Sequence, residues 1–264
     1  MTAGGDETDA TSKATLARQL RDLGVRPGGV LLAHISYRAA RPVEGGPVGL
    51  IEALRAALGP EGTLVMPSWG DGGAPFDAAR TPTDSDLGAT ADLFWRRPGV
   101  VRAAHAFAFA AAGPRAEAIL RDPLPLPPHR RESPVGRVWE LDGQVLLLGC
   151  GHDANTTLHL AELLAEVPYR APKHVTVLQD GRPVRIEYGE NDHCCRLFAK
   201  ADDWLRSRGL QAEGRVGRAG ARLFRSRDVV DVALAQLRRE PLIFLHAAGA
   251  GCGECDEARR SIPA

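Results

Sequence analysis

The chain has 264 residues, 44% apolar and 25% charged, with 33 Lys and Arg balanced by 33 Asp and Glu. That length and composition suit one globular domain with a sizeable core. Zero net charge excludes a generally basic nucleic-acid or anionic-membrane binder, and no apolar run reaches the roughly 18–20 residues of a membrane span. Residues 1–12 have neither a basic start nor an apolar core, so they read as a short disordered tail ahead of a single domain over 13–264. Five cysteines, odd in number and clustered, argue against a secreted disulfide framework and for the cytoplasm.

Lys13 to Leu23 reads as a helix, with Leu16, Leu20 and Leu23 on one face and Gly24 as its C-cap. Val30 to Ala33 is too short for a helix and reads as a buried strand. A helix from Val48 to Leu58 and a strand from Thr63 to Met66 complete a parallel strand–helix–strand unit. Residues 70–90 read as a long loop, Thr90 to Trp95 as a helix, Val100 to Ala112 as containing a short strand, and Pro114 to Leu120 as helical. The Pro-rich stretch 123–128 predicts an extended, stiff spacer. A third buried strand, Val145 to Leu148, runs through Gly149-Cys150-Gly151 into a helix from about Thr156 to Val167. Val175 to Gln179 and Pro183 to Tyr188 flank Asp180-Gly181, the pattern of a hairpin with a type I′ turn. Cys195 to Arg206 and Arg227 to Arg238 read as helices, and Leu242 to Leu245 as a last strand. The predicted class is α/β: a mixed, largely parallel central sheet with helices on both faces, a β-hairpin, and a C-terminal helical segment carrying cysteines.

In such sheets ligands bind beyond the carboxyl ends of strands, which places a crevice after Ala33, Met66 and Leu148. The helix after the third strand is apolar except for His159, Glu162 and Glu166, whose spacings of three and four put them on one face. A polar seam on a buried helix must be paired or face a cleft. Glu162 is placed to orient the His159 imidazole, leaving one nitrogen free as a base. His159 lies in the first helical turn, where the helix dipole is expected to keep it neutral.

Other patterns leave alternatives open. Gly149 to Ala154 matches a dinucleotide-binding fingerprint, but no acidic strand end follows about 20 residues later. Glu190-Asn191-Asp192-His193 could grip a polycation, ligate a metal or form a solvated turn. Cys252-Gly253-Glu254-Cys255 is half of a zinc site that Cys194 and Cys195 could complete, with His193 or His246 able to replace one thiol; a reduced, inert set is the alternative. Charge is also unevenly spread: residues 151–203 carry nine acidic and six basic side chains, residues 205–241 nine basic and four acidic.

Taken together, His34-Ile35-Ser36, Thr63 to Pro67, Ser133-Pro134-Val135, Leu147-Leu148-Gly149 and Thr156 to Glu162 resemble the motifs of the aminoglycoside 3-N-acetyltransferases, a fold class separate from the common GNAT acetyltransferases. The likeness covers residues 13–260. Residues 122–129, 151–162, 190–195 and 251–255 are similar to the class IV branch, which takes apramycin as well as gentamicin-type drugs.

The resemblance implies acetyl transfer from acetyl-CoA to the 3-amino group of a 2-deoxystreptamine aminoglycoside. It implies His159 and Glu162 as the catalytic pair, with Glu190, Asp192, Asp71 and Trp69 facing the drug. His34, Ser36, Tyr37, Arg38, Ser68, Arg102, His105, Phe107 and Thr157 would line the coenzyme groove. Direct transfer with His159 as general base is the expected route, with Thr157 or Ser68 as oxyanion donor and an acyl-enzyme on Cys150 as the alternative. Neither nucleic acid nor membrane is expected as a partner, and the chain is expected to be a monomer or homodimer.

Overall fold

The computed structural model describes residues 10–72, 74–121 and 124–263. Of the expected tail, residues 1–9 lie outside the described residues; Thr11 bridges to Val43 and Ser12 caps the first helix. In chain order the elements are α1 (Lys13–Leu23), β1 (Val30–Ile35), α2 (Tyr37–Ala40), α3 (Gly46–Leu58), β2 (Thr63–Pro67), α4 (Gly88–Trp95), β3 (Val101–Arg102), β4 (Phe109–Ala112), α5 (Ala116–Leu120), α6 (Pro134–Glu140) and β5 (Gln144–Leu148). They continue as α7 (Thr157–Leu164), β6 (Ala171–Gln179), β7 (Arg182–Glu190), α8 (Lys200–Arg206), β8 (Gln211–Val216), β9 (Ala219–Arg225), α9 (Ser226–Leu237) and α10 (Gly253–Arg260).

A seven-stranded sheet has the order β3-β4-β2-β1-β5-β9-β8. The sheet is mixed, as expected, but its parallel pairing is confined to the centre. There Leu32 of β1 sits beside Val65 of β2 and Val145 of β5, while the strands added on either side pair antiparallel. The central strands are apolar throughout because both faces are covered. Val30, Leu32, Val145 and Leu147 join the core formed with α5 to α9, whereas Leu31, Ala33, Leu146 and Leu148 join the core under α1, α3 and α4.

Local chemistry sets the boundaries. The Ser12 side chain accepts from the Thr15 amide at 3.1 Å, and Gly24 ends α1 at φ 111°. Asp180 and Gly181 both have positive φ, 52° and 74°, as a type I′ turn requires. The hairpin of β6 and β7 forms its own two-stranded sheet, with Glu190 opposite Ala171 at its base.

Several expectations are corrected. Leu242–Leu245 is a series of turns, closed by Ile243 N–H to the Glu240 carbonyl and Leu245 N–H to the Leu242 carbonyl, with Phe244 buried. An apolar run of four residues satisfies either geometry, and the sheet edges here belong to β3 and β8. The helix expected from Cys195 begins with a 3₁₀ turn, Arg196–Ala199. Of the Pro-rich stretch, Pro123 lies outside the described residues, and residues 126–129 bend and turn instead of running straight. No helix among the described residues is long and apolar enough to cross a membrane.

Candidate active site

The carboxyl ends of β1, β2 and β5 open on a cleft of about 850 Å³ whose lining includes His34 to Arg38, Trp69, His129, Cys150, Asn155, Thr156, His159 and Cys195. A second lobe of about 310 Å³ is lined by Asp71, Phe107, His174 and Glu190, among others. Trp69 and His129 belong to both, so the two lobes meet beside His159.

Glu162 is fully buried on α7, and its two oxygens are taken by three partners. One oxygen lies 2.8 Å from Nδ1 of His159; the other is 2.8 Å from Nε2 of His193 and accepts from the buried Tyr169 hydroxyl. The Cys195 amide donates to His193 Nδ1 at 3.0 Å, so the His193 proton sits on Nε2 and points at Glu162. Burial opposes the Glu162 charge, but the His193 and His159 imidazoles outweigh it and hold the carboxyl at about 2. With Glu162 accepting at Nδ1, His159 presents Nε2 to the cleft, where the Cys195 sulfur lies 3.4 Å away.

The expected neutral His159 is corrected. Burial disfavours its imidazolium, but the Cys195 sulfur and the Glu162 carboxylate overcome that effect and raise its pKa well above the usual histidine range. The dipole of a two-turn helix is a weaker influence than a buried carboxylate in direct contact.

His129, which the sequence singled out only within the class IV-like stretch 122–129 and gave no role, stacks on His159 with ring centroids 5.3 Å apart and an interplanar angle of 20°. Its backbone adopts φ 64°, uncommon for any residue but glycine, although His is among the types that enter this region more often. Burial, then the neighbouring His159, keep its pKa well below the ordinary value.

The other expected residues divide. His34, Ser36, Tyr37 and Arg38 line the larger lobe, and Trp69, Asp71, Phe107 and Glu190 the smaller one. His34 is held near pKa 4 by burial, and its Nε2 lies 3.3 Å from the Thr156 hydroxyl. Burial raises the Glu190 carboxyl, which accepts from the Tyr188 hydroxyl at 2.9 Å. Phe107, expected on the coenzyme side, therefore stands with Glu190 instead.

Asp192 lines neither lobe and pairs with Lys173 Nζ at 2.5 Å. Arg102 also lines neither. Its guanidinium stacks over Trp95 and Phe76, at 4.1 and 4.6 Å, and donates to the carbonyls of Ser68, Ala78 and Thr81. His105, Ser68 and Thr157 are buried and line neither lobe; Thr156, the neighbour of Thr157, brings a hydroxyl to the cleft. None of the nine basic residues of 205–241 lines either lobe, and Arg222 is paired with Asp202 at 2.7 Å.

The glycines after β5 have a packing explanation. A Cβ on Gly149, at φ 72°, would come within 2.6 Å of the Ala39 Cβ. A 3₁₀ turn, His152–Ala154, then separates the glycines from α7, unlike a turn that opens directly onto a nucleotide-binding helix. Cys150 is pushed up to about 11 by burial, with nearby Asp153 adding to the effect, and its S–H donates to the His34 carbonyl at 3.3 Å.

The expected set of four cysteines is also corrected. Cys195 points to His159, while Cys194, Cys252 and Cys255 gather with His246. Cys195 takes a left-handed backbone, φ 57°, ahead of the 3₁₀ turn, so the chain turns between the two adjacent thiols and they part.

Comparison with known proteins matches residues 32–238 to the family model described as aminoglycoside 3-N-acetyltransferase. The aminoglycoside N(3)-acetyltransferase IV of Salmonella sp is 67% identical over 240 residues, 90% of this chain and 92% of that one. Crystal structures of AAC(3)-IVa variants with one histidine replaced by alanine include a complex with a gentamicin (TM-score 0.95, 66% identity, 96% of this chain and 98% of that chain) and an apramycin complex (0.89, 61%, 96% and 100%). A binary structure of AAC-IIIb with CoASH superimposes at TM-score 0.79 and 25% identity over 87% of this chain and 97% of that one.

Proposed function

Because the chain belongs to the aminoglycoside 3-N-acetyltransferase family, we propose that it moves the acetyl group of acetyl-CoA onto the 3-amino group of 2-deoxystreptamine aminoglycosides, apramycin and gentamicin types included, and so confers resistance. The observation that carries this reading is the position of His159 Nε2 where the two lobes meet, with Nδ1 fixed by Glu162 at 2.8 Å.

The larger lobe, with Ser36, Tyr37 and Arg38, takes the coenzyme; the smaller one, with Asp71 and Glu190, takes the polycationic drug. An ammonium is not a nucleophile, so the 3-amino group must be deprotonated for attack. The amine nitrogen bonds to the thioester carbonyl carbon, its proton passes to His159 Nε2, and coenzyme A leaves as the thiolate. In the free protein the raised pKa of His159 favours the imidazolium. Ammonium groups of the drug entering beside Glu190 disfavour a further positive charge there, and so return the imidazole to its basic form. The Thr156 hydroxyl is the side-chain donor available to the oxyanion, in place of Thr157 or Ser68.

A second reading rests on one distance, Cys195 Sγ to His159 Nε2 at 3.4 Å. That is nucleophile–base spacing, and it points to Cys195, not Cys150, as the thiol that could carry an acyl group. The thiol would give its proton to His159 and its sulfur would bond to the thioester carbonyl carbon as coenzyme A leaves; the amine would then bond to that carbon and expel the Cys195 sulfur, which regains a proton. Acetyl-CoA and reduced thiols both belong to the cytoplasm, where we place the reaction.

The test is thiol release from acetyl-CoA in the presence of apramycin and gentamicin, together with intact mass of the protein after acetyl-CoA alone. Drug-dependent release without an acetylated protein supports direct transfer. Drug binding without release would reduce the chain to a binder.

A further inference from the structure

Cys194, His246, Cys252 and Cys255 bring four ligand atoms within 4.8 Å of one another at a place away from both lobes of the site. Three of the separations are Cys194 Sγ to Cys255 Sγ 3.7 Å, Cys194 Sγ to His246 Nδ1 3.4 Å, and Cys255 Sγ to His246 Nδ1 3.4 Å. Zn–S bonds of about 2.3 Å and Zn–N bonds of about 2.0–2.1 Å give tetrahedral edges of about 3.8 Å between sulfurs and about 3.6 Å between sulfur and nitrogen. The observed edges match these within a few tenths of an ångström, although no disulfide or other covalent link draws the groups together. Three thiols and one imidazole are a soft donor set that favours zinc over calcium or magnesium.

We propose that these four side chains form a structural zinc site, with His246 in the place that adjacency in sequence would give to Cys195. On binding, the three thiols release their protons to solvent and His246 coordinates through Nδ1; nothing is oxidised or reduced. The site is closed by four protein ligands, as a structural zinc requires. Arg259 reinforces it, donating to the His246 carbonyl at 2.9 and 2.7 Å through Nε and Nη2.

Its function follows from where Cys194 lies. His193 bonds Glu162, Cys194 turns to the metal cluster, and Cys195 turns to His159. The zinc clamps the middle residue of this triplet to the segment 246–255, and so positions the residues on either side against the catalytic pair. It is a fastener from the C-terminal segment to the active-site wall.

The decisive experiment is metal analysis of the full chain, purified without a polyhistidine tag from zinc-supplemented cells. About one zinc per chain is expected. Cys252→Ser and His246→Ala are expected to lose it at least about tenfold, and Cys195→Ser and Cys150→Ser to keep it. If the ligand variants do not fold, wild-type protein exchanged with cobalt keeps the question answerable, since thiolate-to-cobalt charge-transfer and tetrahedral d–d bands are expected. On zinc removal by chelator, hydrogen exchange is expected to rise in 191–195 and 246–255. Less than about a tenth of a zinc per wild-type chain, a Cys194–Cys255 or Cys252–Cys255 disulfide by intact mass under non-reducing conditions, or loss of the metal in Cys195→Ser would each overturn the proposal.

Discussion

The ring of His129 lies nearly flat against the ring of His159, 5.3 Å between centroids, on a backbone held at φ 64°. The stack holds the plane of the catalytic imidazole, which the Phe198 ring also meets edge-on at 4.9 Å. An aromatic pair of this kind contributes about 1 kcal/mol beyond burial. His129→Gly keeps the positive φ accessible but removes a packed ring, so the melting temperature is expected to fall modestly while kcat falls roughly fivefold. Equal activity in His129→Gly and wild type would show that the stack orients nothing.

The Cys195 sulfur and, after it, Glu162 raise the pKa of His159, and this has a visible sign in kinetics. The basic form is the active one, so kcat/KM is expected to rise with pH through an inflection well above the ordinary histidine value of 6.5. Glu162→Gln removes the anion and is expected to move the inflection toward acid while lowering the plateau. The drug amines titrate identically against both proteins, so the difference between the two profiles belongs to the enzyme. An unmoved inflection would separate Glu162 from the base.

The depressed carboxyl of Glu162 also links stability to acid. Its folded pKa of about 2 lies below the ordinary 4.5, so its contribution is complete above 4.5 and disappears as pH falls toward 2. Melting temperatures measured between pH 6 and 2.5 (about the range linkage theory selects) are expected to fall more steeply for wild type than for Glu162→Gln. Parallel curves would contradict the shift.

Arg102 stands as a brace for the 76–84 segment, holding Ala78 and Thr81 to Ser68 at the end of β2. A lysine has neither the planar face for Trp95 and Phe76 nor the fork for the carbonyls. Arg102→Lys is therefore expected to lower the melting temperature almost as far as Arg102→Ala. A large rise in KM for acetyl-CoA with unchanged melting temperature would instead place Arg102 on the coenzyme.

Cys150 is buried, held near pKa 11, and bonded to the His34 carbonyl, so it is poorly suited to form a thiolate. Cys150→Ala is expected to keep kcat within about threefold. An acetyl group found on Cys150 by peptide mapping after incubation with acetyl-CoA would reverse this.

Much of the site was legible because its signals are local. The runs Val30 to Ala33, Thr63 to Met66 and Val145 to Leu148 are continuous in apolar character, as strands covered on both faces must be, and their ends converge. His159 and Glu162 stand out because polar groups on a buried helix need partners. What escaped depends on tertiary placement. His193 and Tyr169 reach Glu162 from beyond the helix, and no spacing announces them. Cys194 and Cys195 are equivalent in sequence and opposite in space. The β8–β9 hairpin, with alternating exposure along β9, lies in an Arg- and Gly-rich stretch whose apolar face is only half the strand.

The most direct test of His159 as the proton acceptor is steady-state release of coenzyme A by His159→Ala, with apramycin and acetyl-CoA saturating and folding checked by melting temperature. Loss of a positioned general base is expected to lower kcat by about 10²–10⁴-fold, with the KM for apramycin changed far less. A His159→Ala protein that keeps kcat within about tenfold of wild type would contradict proton transfer through this imidazole.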